Sequence, residues 1–240
     1  MLTLLTFPGS DHLPTHSPFG LKAMCLLTMS GLPWQVEYTG DLDAMPLRRL
    51  PVLRTDHGLI PDSHHIQEHL ESLGADFHPG LDAADRALSH ALVHMVEDSL
   101  RLGLVHDRWL HPDVWPTMRE AFFAGVPAPA RAAVSEKAQA QVRAGLMGQG
   151  IAQFAEKDRL RRLAKDVHAL ETVLGDGPFL FGDVPTAADA VAGPVVDMIR
   201  DLPTLTGLRQ LITDRTGLIA YADAVRRAIY PQKVIISDAA

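Results

Sequence analysis

One cysteine, Cys25, in 240 residues excludes an internal disulfide, so packing and hydrogen bonding must hold the fold. Basic charge is also short: 22 Lys and Arg against 29 Asp and Glu give a formal net charge of -7, with no compensating Lys/Arg block. No nucleic-acid partner is expected from that balance. No apolar run approaches the ~18 residues that span a bilayer. Met1–Phe7 lacks a basic leader and is cut off by Pro8-Gly9. No membrane partner is expected, and a cytoplasmic location is the default. The histidine pairs His65/His69 and His90/His94 have helical spacing but neither the glutamate of a metalloprotease motif nor a third ligand nearby. Solvated helix faces account for them, and no metal site is expected. Tyrosine is confined to Tyr38, Tyr221 and Tyr230, outside the first strand pattern. What remains is ordinary: 47% hydrophobic and 21% charged residues, enough for one large core or two modest ones.

The first third of the chain alternates element types. Short β runs are predicted at Leu2–Phe7, Trp34–Tyr38 and Val52–Arg54, with a stub at Leu59-Ile60. Helices are predicted over Pro18–Ser30, with Ser17 as cap and Gly31 as terminator, and over Asp62–Leu73, with Gly74 after it. Thr39–Arg49, broken by Gly40 and Pro46, leaves room for one helical turn at most. Gly74–Gly80, with Pro79, reads as a linker. Beyond it strand signals nearly vanish. Helices are predicted over Ala83–Leu110 as one long element, then Val114–Phe123, Arg131–Leu146, Lys157–Leu174, Ala187–Asp201, Leu205–Thr213 and Gly217–Ile229. Thr186 and Asp189 form a capping box ahead of the apolar helix at Ala187. The fold class is therefore α/β plus all-α: a thioredoxin-like domain over 1–75 and an all-helical domain over 81–233.

Function is most legible around Leu50-Pro51-Val52-Leu53 and Asp62-Ser63. Proline in an apolar strand pattern forfeits a ladder hydrogen bond and marks an edge, a bulge or a kink. His57-Gly58 turns the chain back, so the helix that starts at Asp62-Ser63 returns beside Pro51. A helix start carries spare N–H groups and accepts an anion. The combination offers main-chain groups to an extended peptide and a helix terminus to its carboxylate. Each half also has a plain structural reading, since Asp62 and Ser63 serve equally as helix caps.

A thioredoxin-like start followed by an all-helical half with this capping box resembles the glutathione transferase family. Within it, the resemblance is to the metaxin-like branch, which includes the failed axon connections proteins and related bacterial proteins. The stretches that carry it are Phe7-Pro8 with a long loop to Ser17-Pro18-Phe19 and Lys22; Gly31-Leu32-Pro33; Ile60-Pro61-Asp62-Ser63; and Gly175–Asp183. Asp107-Arg108-Trp109-Leu110 and Gly148-Gln149-Gly150 are also similar. The resemblance implies a cis Pro51, glutathione as co-substrate, a small hydrophobic electrophile, a detoxification role and a homodimer. It implies glutathione-binding roles for Phe19, Arg49, Leu50, Pro51, Asp62 and Ser63, and acceptor-binding roles for Arg108, Trp109 and Trp115. Its branch implies an alternative, a non-catalytic interaction module that keeps the transferase fold.

Ser17 stands where serine- and cysteine-type members carry their catalytic residue. A thiol with a pKa near 8.5 is only about 3% ionised at pH 7, and lowering that pKa by about two units takes roughly 2.7 kcal/mol. A hydroxyl bonded to a charged partner contributes roughly 1.5–3 kcal/mol and a helix N-terminus about 0.3–1 kcal/mol, which together reach that scale. Serine rather than cysteine argues against mixed-disulfide exchange. As a plain reading, Ser17 is an N-cap before proline, Arg49 a solvated strand-end charge, and Trp109 and Trp115 core or interface residues. Cys25, among Ala23, Met24, Leu26 and Leu27, reads as a packing residue.

Overall fold

In the computed structural model, which describes residues 1–232, four strands form one sheet: β1 (Leu2–Thr6), β2 (Trp34–Tyr38), β3 (Val52–Thr55) and β4 (Gly58–Pro61). Their order is β2-β1-β3-β4, with β1 parallel to β2 and the other pairs antiparallel. A parallel pair needs a crossover, and helix α1 (Pro18–Ser30) supplies it. Ser17 caps α1, Pro18 opens it, and Gly31 at φ 68° ends it in the left-handed conformation that glycine adopts without penalty. Helix α2 (Ser63–Ser72) follows β4 and packs on α1.

All later elements are helical, as the sequence predicts: α3 (Ala83–Met95), α4 (Arg101–Leu110), α5 (Trp115–Phe122), α6 (Ala128–Gln149), α7 (Glu156–Leu174), α8 (Ala187–Arg200), α9 (Gly207–Thr213) and α10 (Thr216–Ile229). The expected end of this half at 233 lies outside the described residues. Two expectations need correction. The single helix over Ala83–Leu110 is instead α3 and α4 joined by a π-helical turn, Val96–Leu100. That wider turn sends Glu97 to Lys22 of α1 (2.7 Å) and Ser99 to Asp166 of α7 (2.5 Å), tertiary partners to which a 3.6-residue periodicity is blind. Helix α6 also starts before Arg131, because Pro129 falls in its first turn, where no N–H is needed.

The linker segment is itself packed. Phe77 is buried, and its carbonyl accepts from the Ala187 N–H at the start of α8 (2.9 Å). One continuous apolar core runs from Leu4 and Leu53 in the sheet through Leu21–Leu27 of α1 to α8 and α10. Every residue of α8 from Ala187 to Ile199 is buried. Gly193 brings α8 against α10, since a Cβ there would stand 2.4 Å from Val225 Cγ1. Cys25 is fully buried in this core, and burial pushes its thiol far above the range in which thiolates form. Among the described residues no helix is long and apolar enough to cross a membrane.

Candidate functional site

The three segments singled out in the sequence meet because β1, β3 and β4 open at one end of the sheet. Leu5 pairs with Val52, and Val52 pairs with Pro61. The loop after Thr6, the Leu50-Pro51 entry to β3 and the Asp62 exit from β4 therefore share that end. The Leu50-Pro51 peptide is cis, as the resemblance implied. Leu50 precedes the ladder, so its main-chain groups lie outside the sheet's own pairing, whereas the Pro51 carbonyl accepts from the Asp62 N–H (3.2 Å).

Asp62 caps α2, its carboxylate accepting from the His64 N–H at 2.8 Å. It does so with a φ of 75°, a left-handed conformation that is strained for a residue bearing a Cβ. Ser63 is the first residue of α2 and is buried. Of the two candidate caps, only Asp62 acts as one. These features fit an extended peptide with an anionic end: main chain beyond the end of the ladder at Leu50, a helix N-terminus at Ser63 and a carboxylate at Asp62.

Ser17 is held from both sides. Its N–H donates to Thr15 Oγ1 (3.1 Å) and its Oγ accepts from the Gly20 N–H (3.1 Å), which makes it the N-cap of α1. An accepting hydroxyl keeps its own proton, so capping and donation to a ligand are compatible. Gly20 is required by proximity: a Cβ there would lie 2.2 Å from Thr6 Oγ1, so only glycine lets this turn approach the end of β1.

The loop before Ser17 is pinned by three donors. Tyr38 Oη donates to the Pro14 carbonyl (2.8 Å), Arg226 Nη1 to the His12 carbonyl (2.8 Å) and Arg108 Nη1 to the His16 carbonyl (2.8 Å). Both arginines come from the helical half. Arg226 is in turn held by fully buried Asp197 (2.7 Å), which also accepts from Tyr230 Oη (2.9 Å). The His16 ring packs edge-on to Phe122, with centroids 5.3 Å apart. Burial and the Arg108 charge lower its pKa to about 4, so it is neutral at physiological pH.

Trp109 and Trp115 stack at 5.1 Å and share a half-buried aromatic cluster with Phe122 and Phe123. Arg108 is buried at the root of this cluster, its guanidinium 6.0 Å from the Phe122 ring centre. Phe19 lies under the Arg101 guanidinium (4.7 Å), a contact between α1 and the helical half. Arg49 is exposed. His16, Gly20, Phe122, Phe123 and Arg226 escaped the sequence reading. Only the Trp109, Trp115, Phe122 and Phe123 spacing carried a signal, an aromatic density unusual for this chain.

Family models match both halves of the chain. The model of the glutathione S-transferase N-terminal domain matches residues 18–114, and that of the glutathione S-transferase C-terminal domain matches residues 132–224. The isoprene-epoxide–glutathione S-transferase of Rhodococcus sp. (strain AD45) is 24% identical over 95% of this chain and 98% of its own length. Metaxin-1 of Macaca fascicularis is 27% identical over 96% of this chain and 75% of its own length. Among solved structures, a Methylobacterium radiotolerans glutathione S-transferase in complex with glutathione sulfonate superposes with a TM-score of 0.61. It shows 18% identity and covers 100% of this chain and 99% of the other. The chain belongs to the glutathione S-transferase superfamily, on its metaxin-like branch.

Proposed function

We propose that this protein binds glutathione along Leu50-Pro51 and the start of α2 and conjugates its sulfur to a small hydrophobic electrophile. The observation that carries the reading is the convergence of Ser17, Leu50-Pro51 and Asp62-Ser63 at one end of the sheet. In this reading Leu50 pairs with the peptide main chain, the Ser63 turn receives the γ-glutamyl carboxylate and Asp62 receives its ammonium. Arg49 adds positive charge at the proline, and Phe19 buttresses the first turn of α1. Ser17 keeps its proton and donates a hydrogen bond from its hydroxyl to the sulfur once the thiol has released its own proton to water. The sulfur lone pair then forms the new C–S bond, and the electrons of the broken bond pass to the leaving heteroatom. Trp109 and Trp115, with Arg108 beneath them, flank the acceptor.

The Rhodococcus relative supports the enzyme reading and makes an epoxide the first acceptor to try. The Metaxin-1 likeness, over nearly the whole chain, favours a second reading: a non-catalytic interaction module that keeps the fold. Calorimetric titration with glutathione, followed by conjugation assays with an aromatic electrophile and an aliphatic epoxide, separates the two. Binding with turnover supports the enzyme, binding without turnover selects the module, and no binding removes the glutathione reading. The family resemblance also proposes a two-fold dimer, which sedimentation at micromolar concentration tests.

A further inference from the structure

Arg108 is a buried cation with no carboxylate on it among the described residues. It is 5% exposed, its Nη1 is spent on the His16 carbonyl, and its Nε is buried without a partner among the described residues. The acids nearby are committed elsewhere. Asp107, its neighbour on α4, lies against His106 (3.1 Å), and Asp201, after α8, lies against Arg226 (3.3 Å) and Arg200 (3.8 Å). Burial brings the guanidinium down to about 10, with Asp201 opposing the shift, so it stays charged at neutral pH. His16, the remaining titratable group beside it, is neutral there and does not compete for an anion. A desolvated charge without a counter-ion is costly, and the arrival of an anion relieves that cost.

The position of this charge is specific. Arg108 bonds the carbonyl immediately before Ser17, and the rings of His16 and Phe122 exclude water from its flank. A fixed charge in such surroundings acts over a longer range than it would in water. We infer that Arg108 is the fixed positive charge that favours the ionised form of a thiol bound at Ser17. It acts from the helical half both through its field and by setting the His16-Ser17 backbone. Arg108 touches no reacting atom and is a positioning residue. The inference rests on the proposed glutathione site and adds to it a selectivity for an anionic sulfur over an uncharged thioether.

The test compares wild type with Arg108→Met and Arg108→Lys, reading thiolate ultraviolet absorbance of bound glutathione against pH, alongside calorimetric affinity for S-methylglutathione. Arg108→Met is expected to raise the bound thiol's pKa by about one unit, a tenfold loss of thiolate well below that pKa, while S-methylglutathione affinity stays within about twofold. Arg108→Lys, which keeps the charge but not the fork, is expected to recover part of the shift. An unchanged thiol pKa in Arg108→Met overturns the inference. So does a parallel loss of affinity for both ligands, which would make Arg108 a scaffold only. Should Arg108→Met fail to fold, Arg108→Gln decides: a polar but uncharged side chain there is expected to raise the thiol pKa, and no change or a fall overturns the inference. A wild-type protein that binds no glutathione removes the functional reading itself. One that binds with a lowered thiol pKa insensitive to Arg108 removes this inference alone.

Discussion

Lys22 and Glu97 meet at 2.7 Å across 75 residues of chain, with the lysine 3% and the glutamate 16% exposed. The contact ties α1, which carries Ser17 at its start, to the π-helical turn of the helical half. Removing one partner of a buried pair strands the other, so Lys22→Met is expected to cost about 3 kcal/mol in chemical denaturation. The double variant Lys22→Met/Glu97→Leu is expected to recover most of that loss. A single variant as stable as wild type would show that the pair is solvated in practice.

Asp189 is the acceptor for four donors: the N–H of Leu180 (2.9 Å), the N–H and hydroxyl of Thr186 (2.8 and 2.9 Å) and Tyr221 Oη (3.0 Å). Burial raises its carboxyl pKa, and those bonds pull it back. Thr186→Ala is expected to cost about 1–2 kcal/mol as a lost cap. Asp189→Ala leaves four donors unpaired in the core and is expected to cost roughly 3 kcal/mol or more. Equal midpoints for the two variants would mean that the carboxylate is not the hub.

At position 62, strain and capping oppose each other. Asp62→Ala loses the cap and keeps the φ of 75°, so it is expected to lose about 1–2 kcal/mol. Asp62→Gly sacrifices only a few tenths of a kcal/mol of capping and relieves the backbone, so its stability is expected to match or exceed wild type. Both variants are expected to weaken glutathione by about 1–3 kcal/mol through the lost ammonium partner. Thermal melts and calorimetry on the same preparations check this. Full affinity in Asp62→Gly would leave Asp62 a structural role only.

His16 makes stability depend on acid. Its pKa is lowered in the fold from 6.5 to about 4, by burial first and the Arg108 charge second. A depressed folded value means that the unfolded chain binds the proton more readily. The contribution is therefore complete above about pH 6.5 and is lost as pH falls toward 4. Its partly solvated ring reduces the effect to roughly 2 kcal/mol. Denaturation midpoints at several pH values for wild type and His16→Gln check the sign: the variant is expected to show a flatter slope through that window, and a slope as steep as wild type would discharge His16.

Ser17 separates capping from chemistry through two substitutions. Ser17→Ala is expected to lose about 1 kcal/mol of stability, whereas Ser17→Gly loses only a few tenths, because glycine is an acceptable N-cap. Both lack the hydroxyl, and both are expected to lower conjugation roughly ten- to a hundredfold with little change in affinity for protonated glutathione. Full turnover in Ser17→Gly would move the role to backbone donors at the start of α1.

Local chemistry by itself determined much of this protein. Ser17-Pro18 and Gly31 bound α1 at the predicted residues, Thr186 and Asp189 open α8, and short apolar runs between turn residues mark β1, β2 and β3, because caps, prolines and turn residues act within a few residues. Leu50-Pro51 and Asp62-Ser63 are legible as neighbours, and so as a candidate site, for the same reason: one short hairpin joins them. Contacts distant in sequence were decided only in the tertiary structure. The π turn serves Lys22 and Asp166, the Phe7–His16 loop is tied down by Arg108 and Arg226, and Phe19 is covered by Arg101. Residue spacing shows which side chains share a helix face, but a desolvated arginine, a neutral histidine and a carbonyl held from the other half of the chain arise only when separate elements exclude water together.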